Sequence, residues 1–318
     1  MKRRKVLKLF AASGLGLVLG HQGLSYLSYA QQSDQIMNNV SITLPHLGQE
    51  LKIHGISTGG VKVKYSHKNK GLGIPQILLD PFWTDWMPIY VWVIEHPEGI
   101  ILVDTGENAQ EKNAAYFSCD PTTGWVNNKI LRFNTLRADE IDQQLLKLGI
   151  QTGDIRWVVL THLHLDHVDG LHHFPKSEII ISKKEYQHPY GAIPCLLPKW
   201  LSPNLIQYHQ AFPHFEQAYP LTTAQDIWLV PTAGHTYGHQ SVLLQSEKVD
   251  LLFAGDVAFN QQQLQKQVVA GICADKKSAK STYNRIKAYA KSRPLVCLPA
   301  HDPNSGARLQ NLQPISFP

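Results

Sequence analysis

Only four of the 318 residues are cysteine, and none lies in a Cys-x-x-Cys pair, so the chain carries no thiolate zinc motif. Cys119, Cys195, Cys273 and Cys297 are scattered, and both disulfides of unfixed pairing and buried free thiols are compatible with them. Low-complexity tracts and internal repeats are absent, which excludes solenoid and disordered classes. No apolar run reaches the ~20 residues that span a bilayer. The chain is 43% hydrophobic and 17% charged, enough for a substantial core in one large domain or two small ones.

The first thirty residues read as a targeting segment rather than as fold. MKRRKVLKLF opens with a basic cluster, LFAASGLGLVLG is a short apolar run, and Ser28-Tyr29-Ala30 places small residues at the −3 and −1 cleavage positions. Arg3-Arg4 ahead of a Gly-rich, weakly apolar core resembles a twin-arginine signal, with an ordinary Sec signal or an uncleaved anchor as alternatives. The expected product is an exported, periplasmic protein without stable membrane insertion after cleavage. Residues 1–30 hold Lys2, Arg3, Arg4, Lys5 and Lys8 and no acid, so the formal +5 belongs to them and the remainder is neutral. A nucleic-acid partner is therefore not expected.

From about residue 41 to 318, strand-like and helix-like segments interleave, as expected for one α/β or α+β domain. Ile89–Ile94 and Ile100–Val103 predict a hairpin across His96-Pro-Glu-Gly99. Arg137–Leu148 predicts a helix stopped by Gly149. Strands are also expected at Ile155–Leu160, Ile179–Ile181, Ile227–Val230, Ser241–Leu244, Leu251–Phe253 and Leu295–Leu298, with helices at Lys183–Gln187 and Ser278–Ala290.

THLHLDHVDG, residues 161–170, begins where one predicted strand ends. In an extended His-x-His the alternate residues share a side, so His162 and His164 can bind one ion while Asp166 and His167 reach a second. The ligands still missing are expected after later strands. Gly234-His235, Gly255-Asp256 and Ala300-His301 share one pattern: an apolar strand, a small residue, then a ligand.

On these residues, with Leu102-Val-Asp-Thr-Gly106, the chain resembles the metallo-β-lactamase superfamily. Through Tyr90–Gly99, Gly234–Ser241 and His301-Asp302-Pro303 it resembles the N-acyl homoserine lactonases within it. The resemblance covers roughly residues 85 to 310. It implies a four-layer αβ/βα sandwich holding two divalent metal ions, with zinc expected from nitrogen and carboxylate ligands. Carried over by position, His162, His164 and His235 hold one ion, Asp166, His167 and His301 hold the other, and Asp256 bridges. Asp104 is implied to orient the metal-binding loop, and His239 to be structural rather than an eighth ligand. His172 and His173 read as solvated.

The resemblance implies lactone hydrolysis on a small-molecule lactone or ester, with Asp166 and Asp256 in catalytic positions and Asp166 also a proton shuttle. The alternative is another ester, lactone or organophosphate hydrolase on the same metals. A β-lactamase with a comparable loop lacks the aspartate at 256, glutathione thioester hydrolysis is cytosolic, and a metal site without catalysis would close its shell. Phe259 departs from the lactonases, where a tyrosine often stands, so Tyr237 is the candidate substitute beside His235. The aromatic run Pro81–Pro88 is expected as core, as a loop packed on the core, or as an apolar wall for an acyl chain.

Overall fold

The computed structural model describes residues 39–69, 73–113 and 115–317. The expected targeting segment lies outside them. Among the described residues no helix is long and apolar enough to cross a membrane.

Two sheets face each other. In the first, β1 (Val40–His46), β2 (Gln49–Val63), β3 (Met87–His96), β4 (Gly99–Val103), β6 (Ile155–Val159), β7 (Glu178–Ser182) and β8 (Asn204–Ile206) lie side by side in that order. β5 (Leu131–Asn134) pairs with the far end of β2. The second sheet runs β14 (Leu295–Pro299), β13 (Asp250–Gly255), β12 (Gln240–Leu244), β11 (Ile227–Pro231), β10 (Glu216–Pro220) and β9 (Gln210–Phe212). The β3–β4 hairpin is antiparallel, whereas β4–β6–β7–β8 and β13–β14 are parallel. Parallel neighbours need covered faces, and β3 shows it: Tyr90, Trp92 and Ile94 face the opposing sheet, while Val91 and Val93 pack under helices.

Nine helices occur among the described residues: α1 (Tyr65–Lys68), α2 (Ile74–Leu79), α3 (Pro121–Ile130), α4 (Ile141–Lys147), α5 (Leu165–Val168), α6 (Lys183–Gln187), α7 (Gln261–Gln265), α8 (Lys276–Ser292) and α9 (Ser305–Gln310). α8 buries Tyr283, Ile286 and Tyr289 on the outer face of the second sheet; α4 buries Ile141 and Leu145 on the first. The inter-sheet core joins Trp92, Trp157 and Val103 to Leu229, Val242 and Phe253. Each such side chain contributes about 1.5–3 kcal/mol by leaving water. The order helix, sheet, sheet, helix is the single-domain αβ/βα sandwich expected.

Three expectations change. The helix over 137–148 is broken: Arg137–Asp139 is a 3-10 turn, Glu140 is extended at ψ 150°, and α4 starts at Ile141. Glu140 is buried, where its carboxylate accepts the Ala109 N–H and faces Arg137 and His173, so its tertiary tie outweighs helical continuity. His173 is accordingly held against Glu140 and Asp142 rather than solvated, while His172 beside it is exposed. Phe82 is 69% exposed, and Trp83 and Trp86 are half-buried beneath the ammonium groups of Lys64 and Lys62. That aromatic run is therefore a loop packed against the end of β2, tied by the Thr84 N–H to the Val63 carbonyl, and not an acyl wall.

The topology sets four strand ends along one edge. β6 runs into the His-x-His segment, β11 into the loop of His235, β13 into Asp256 and β14 into His301. Gly255 makes the last turn of β13 possible. It sits at φ +53°, and a Cβ there would lie 2.8 Å from the Thr161 side chain.

Candidate metal centre

The ligand atoms of His162, His164, His235 and Asp256 lie within 4.8 Å of one another, and so do those of Asp166, His167 and His301. All seven residues singled out in the sequence thus meet at one edge. The two groups are adjacent through Asp256. Its Oδ2 lies 3.4 Å from His235 Nε2, and its Oδ1 lies 3.3 Å from both His167 Nε2 and His301 Nε2. His164 Nδ1 and His235 Nε2 approach to 2.9 Å, while His301 Nε2 is 3.3 Å from Asp166 Oδ2.

Four of the five imidazoles are oriented by their other nitrogen. His167 Nδ1–H donates to Asp104 Oδ2 at 2.8 Å and His301 Nδ1–H to the Pro88 carbonyl at 2.9 Å. His164 Nε2–H donates to the Tyr190 carbonyl at 2.9 Å, and His162 Nδ1 lies 2.9 Å from the Thr161 hydroxyl. Asp104 also accepts the Thr161 N–H and hydroxyl, which couples both loops. These contacts fix one hydrogen on the outward nitrogen of each of the four rings, so the inward nitrogen is the one that can give a lone pair to a cation that displaces a proton.

The buried atoms His162 Nε2, His167 Nε2 and Asp256 Oδ1 have no hydrogen-bond partner. Orphaned polar atoms are rare in folded proteins, and three converging on one point fit two divalent cations. Burial drives the His162 and His235 imidazoles well below the usual histidine range and lowers His164. Burial also opposes protonation of His167 and His301, but Asp256 and its neighbouring carboxylates outweigh it. His167 ends well above the histidine range and His301 at about 10. The first group is a basket of neutral lone pairs; the second balances its own charge.

His239 is structural as expected. Its Nδ1 meets the Thr232 hydroxyl at 2.9 Å and its Nε2 accepts the Asp256 N–H at 3.0 Å, so neither nitrogen is free to ligate. Glu185, which carried no sequence signal, braces the site from α6. One oxygen accepts the Leu163 N–H, and the other accepts the Thr236 hydroxyl and the Gly238 N–H. A Cβ on Gly238 would sit 2.0 Å from the Glu185 nitrogen, which explains glycine there.

A cavity of about 290 Å³ opens over the centre. Its floor includes His164, Asp166, His235, Asp256 and His301; Val61 and Val63 of β2 and Val126 and Ile130 of α3 give it apolar walls. Phe259 lines it, its ring stacked 5.8 Å from that of His301. Tyr237 does not: it is 40% exposed and borders a separate cleft with Ser182 and Arg285, because its loop turns away after His235. The expected replacement of a tyrosine at 259 by Tyr237 is therefore not what the fold presents. A disulfide, Cys119–Cys195, joins the segment ahead of α3 to the loop after Tyr190, so two cavity walls are tied together; Cys273 and Cys297 are free.

The chain is similar to several known proteins. An N-acyl homoserine lactonase of Bacillus sp is 29% identical over 253 residues, 77% of this chain and 91% of the relative. The fold matches a solved N-acyl homoserine lactone hydrolase with N-hexanoyl-L-homoserine bound at its catalytic metal centre. The TM-score is 0.65 at 23% identity, covering 79% of this chain and 92% of that one. It also matches AidC, a dizinc quorum-quenching lactonase, with TM-score 0.60 at 16% identity, covering 84% and 92%. The model of the metallo-beta-lactamase superfamily matches residues 84–301, and the chain belongs to that superfamily.

Proposed function

We propose that this chain is a dinuclear metal hydrolase that opens the lactone ring of N-acyl homoserine lactones. The observation that carries the reading is an apolar-walled cavity of about 290 Å³ ending on two ligand groups that share Asp256. The curated and solved lactonases that resemble the chain support the substrate class. His162, His164 and His235 would hold one cation, Asp166, His167 and His301 the other, and Asp256 both. Zinc is the proposed metal, supported by the nitrogen and carboxylate donors and by the dizinc relative. Two divalent cations supply an activated water at neutral pH and polarise a carbonyl.

The chain's residues do the rest. The apolar walls of β2 and α3 receive the acyl chain and keep bulk water off the ring. Hydrolysis adds water across the ring C–O bond: the acyl carbon gains oxygen and the ring oxygen leaves as a hydroxyl. Asp166, whose side chain lines the cavity and is 13% exposed, is placed to take the proton that the water gives up and pass it to the leaving ring oxygen. The Asp104, Pro88 and Tyr190 acceptors keep three imidazoles aimed inward throughout.

A turnover panel on metal-replete protein tests the reading, using short and long acyl homoserine lactones, a plain aliphatic lactone, a phosphotriester and a β-lactam. The expected kcat/KM is highest for the acyl homoserine lactones. Preference for the phosphotriester by orders of magnitude would overturn the substrate while leaving the metals in place. We also propose export to the periplasm, supported by the basic-then-apolar opening and by a disulfide suited to an oxidising compartment. Fractionation with N-terminal sequencing should give a mature chain starting after Ala30.

A further inference from the structure

Among the described residues, His67 is the one cavity-lining histidine outside the two ligand groups. It sits in α1 and is 7% exposed. Its backbone is fixed, since the His67 carbonyl accepts the N–H groups of Gly271 and Ile272 at 2.9 and 3.2 Å. The ring meets Phe259 edge-on at 5.7 Å, and Phe259 stacks on the ligand-group ring of His301 at 5.8 Å. The three rings thus form a continuous wall rising from the metal centre. Nδ1 of His67 is sealed from water and has no partner. A buried lone pair without a partner is better tolerated than a buried N–H without one, which places the imidazole hydrogen on Nε2; with Nδ1 sealed, it is the rest of the ring that lines the cavity.

The imidazole is neutral. Burial, with His164 adding to it, pushes His67 down to about 3. A neutral imidazole carries one N–H and no charge, so it can donate to an oxygen without competing as a third cation. Phe259 beside it has no hydroxyl, and the other uncharged donors lining the cavity, Thr122, Thr123 and Asn127 of α3 and Tyr190, belong to other walls than the His67–Phe259–His301 row.

We propose that His67 is a catalytic residue that donates an imidazole N–H to the carbonyl oxygen of the lactone ring, sharing the charge that develops there with the cations. The proposal rests on the lactone reading. It assigns to α1, far in sequence from every ligand motif, the hydrogen bond that neither Phe259 nor the outward-turned Tyr237 can make.

The test compares His67→Phe, which keeps an aromatic ring and loses the N–H, with His67→Gln, which keeps a donor. Metal-loaded enzymes are assayed on a short-chain acyl homoserine lactone and on a plain γ-lactone without an amide. Metal content is counted, and binding of the matching γ-lactam, which keeps the carbonyl, is followed by calorimetry. Loss of one donor to a developing oxyanion predicts a fall in kcat of about 100-fold on both substrates for His67→Phe. KM should stay within about threefold, two metal equivalents should remain, and γ-lactam binding should weaken; His67→Gln should recover a third or more of the rate on the same principle. The inference is overturned if His67→Phe keeps over half its kcat, if its loss tracks lost metal, if glutamine fails to restore rate, or if only the amide-bearing substrate suffers. A wild-type enzyme that opens neither lactone would sink the substrate reading itself, a result distinct from all four.

Discussion

Two clusters of buried histidine around aspartate occur in this molecule, at opposite ends of β3, and by distance alone they look alike. Near Pro88 lies the metal centre. About 26 Å along the strand, His46, His96 and Asp226 also bring their ligand atoms within 4.8 Å of one another, all three buried. What separates them is where the hydrogens are. His96 Nδ1 accepts the Glu98 N–H, so its proton sits on Nε2 and is donated to Asp226 Oδ2 at 2.9 Å. His46 Nε2 meets the same oxygen at 2.6 Å, and Asp226 Oδ1 accepts the Thr222 hydroxyl. The far cluster turns its ring nitrogens on Asp226 and is closed around that carboxylate; its one unpartnered atom, His46 Nδ1, lies on the side of the ring away from Asp226. At the metal centre, backbone carbonyls and Asp104 draw the N–H groups outward, so the lone pairs converge.

The largest effect that tests this contrast is at Asp256. Asp256→Ala removes the carboxylate that faces both groups and leaves His162, His167 and His301 without a shared anion. The expected result is no more than one metal equivalent per chain by elemental analysis and a loss of roughly 10³-fold or more in lactone kcat/KM. Retention of two equivalents with near-normal rate would remove the basis for a bridging role.

Asp226→Asn is the matched change at the closed end. It keeps the shape, but one oxygen that receives two imidazole contacts becomes part of an amide. Removing one partner of a buried charge-assisted network costs about 3 kcal/mol, read as a lower denaturation midpoint. Metal content and kcat should not move. The two histidines hold the Asp226 carboxyl below the usual range against burial, with the Thr222 hydroxyl adding to them. Its stabilisation is therefore present above the unfolded-state pKa of about 4 and is lost as pH falls through the folded value. The wild type should lose stability on acidification more steeply than the variant. A third metal equivalent in wild type, absent from Asp226→Asn, would mean the far cluster is not closed.

The same contrast explains what could be read in the sequence. The metal ligands were legible because a cation demands several donors on short strand-end loops, which compresses them into THLHLDH and into small-residue-then-ligand pairs. Asp104 and His239 were legible through the motifs around them. His46, His96 and Asp226 were not, because an inter-sheet tie needs only three residues at distant strand ends and leaves no local pattern. Glu185 and His67 escaped for the same reason: each serves the site through tertiary approach from a short helix of ordinary composition. The strands β3, β4, β6, β7 and β11 to β14 are legible, since β-branched runs mark covered strands, whereas the short β5, β8, β9 and β10 carry no such run and are missed. The break at Glu140 was hidden because helical periodicity continues across a residue whose carboxylate is claimed elsewhere. The Cys119–Cys195 pair joins residues 76 apart in sequence, a separation that spacing rules do not address.

The smallest effect is the most discriminating, because it should turn one histidine of the open cluster into the closed kind. Asp104 Oδ1 accepts the Thr161 backbone N–H, a donor that cannot reverse, at 2.7 Å. In Asp104→Asn the amide oxygen must stay on that side, and its NH₂ then faces His167 Nδ1 in place of Oδ2. His167 would have to accept there and carry its proton on Nε2, as His96 does. The backbone adds no strain, since residue 104 sits at φ +62° and asparagine tolerates that region as well as aspartate. The second cation should bind about 10- to 100-fold more weakly, measured by competition with a chelator, while the first is retained. Asp104→Asn protein that holds both ions with wild-type affinity would show that proton placement on His167 does not separate the two clusters.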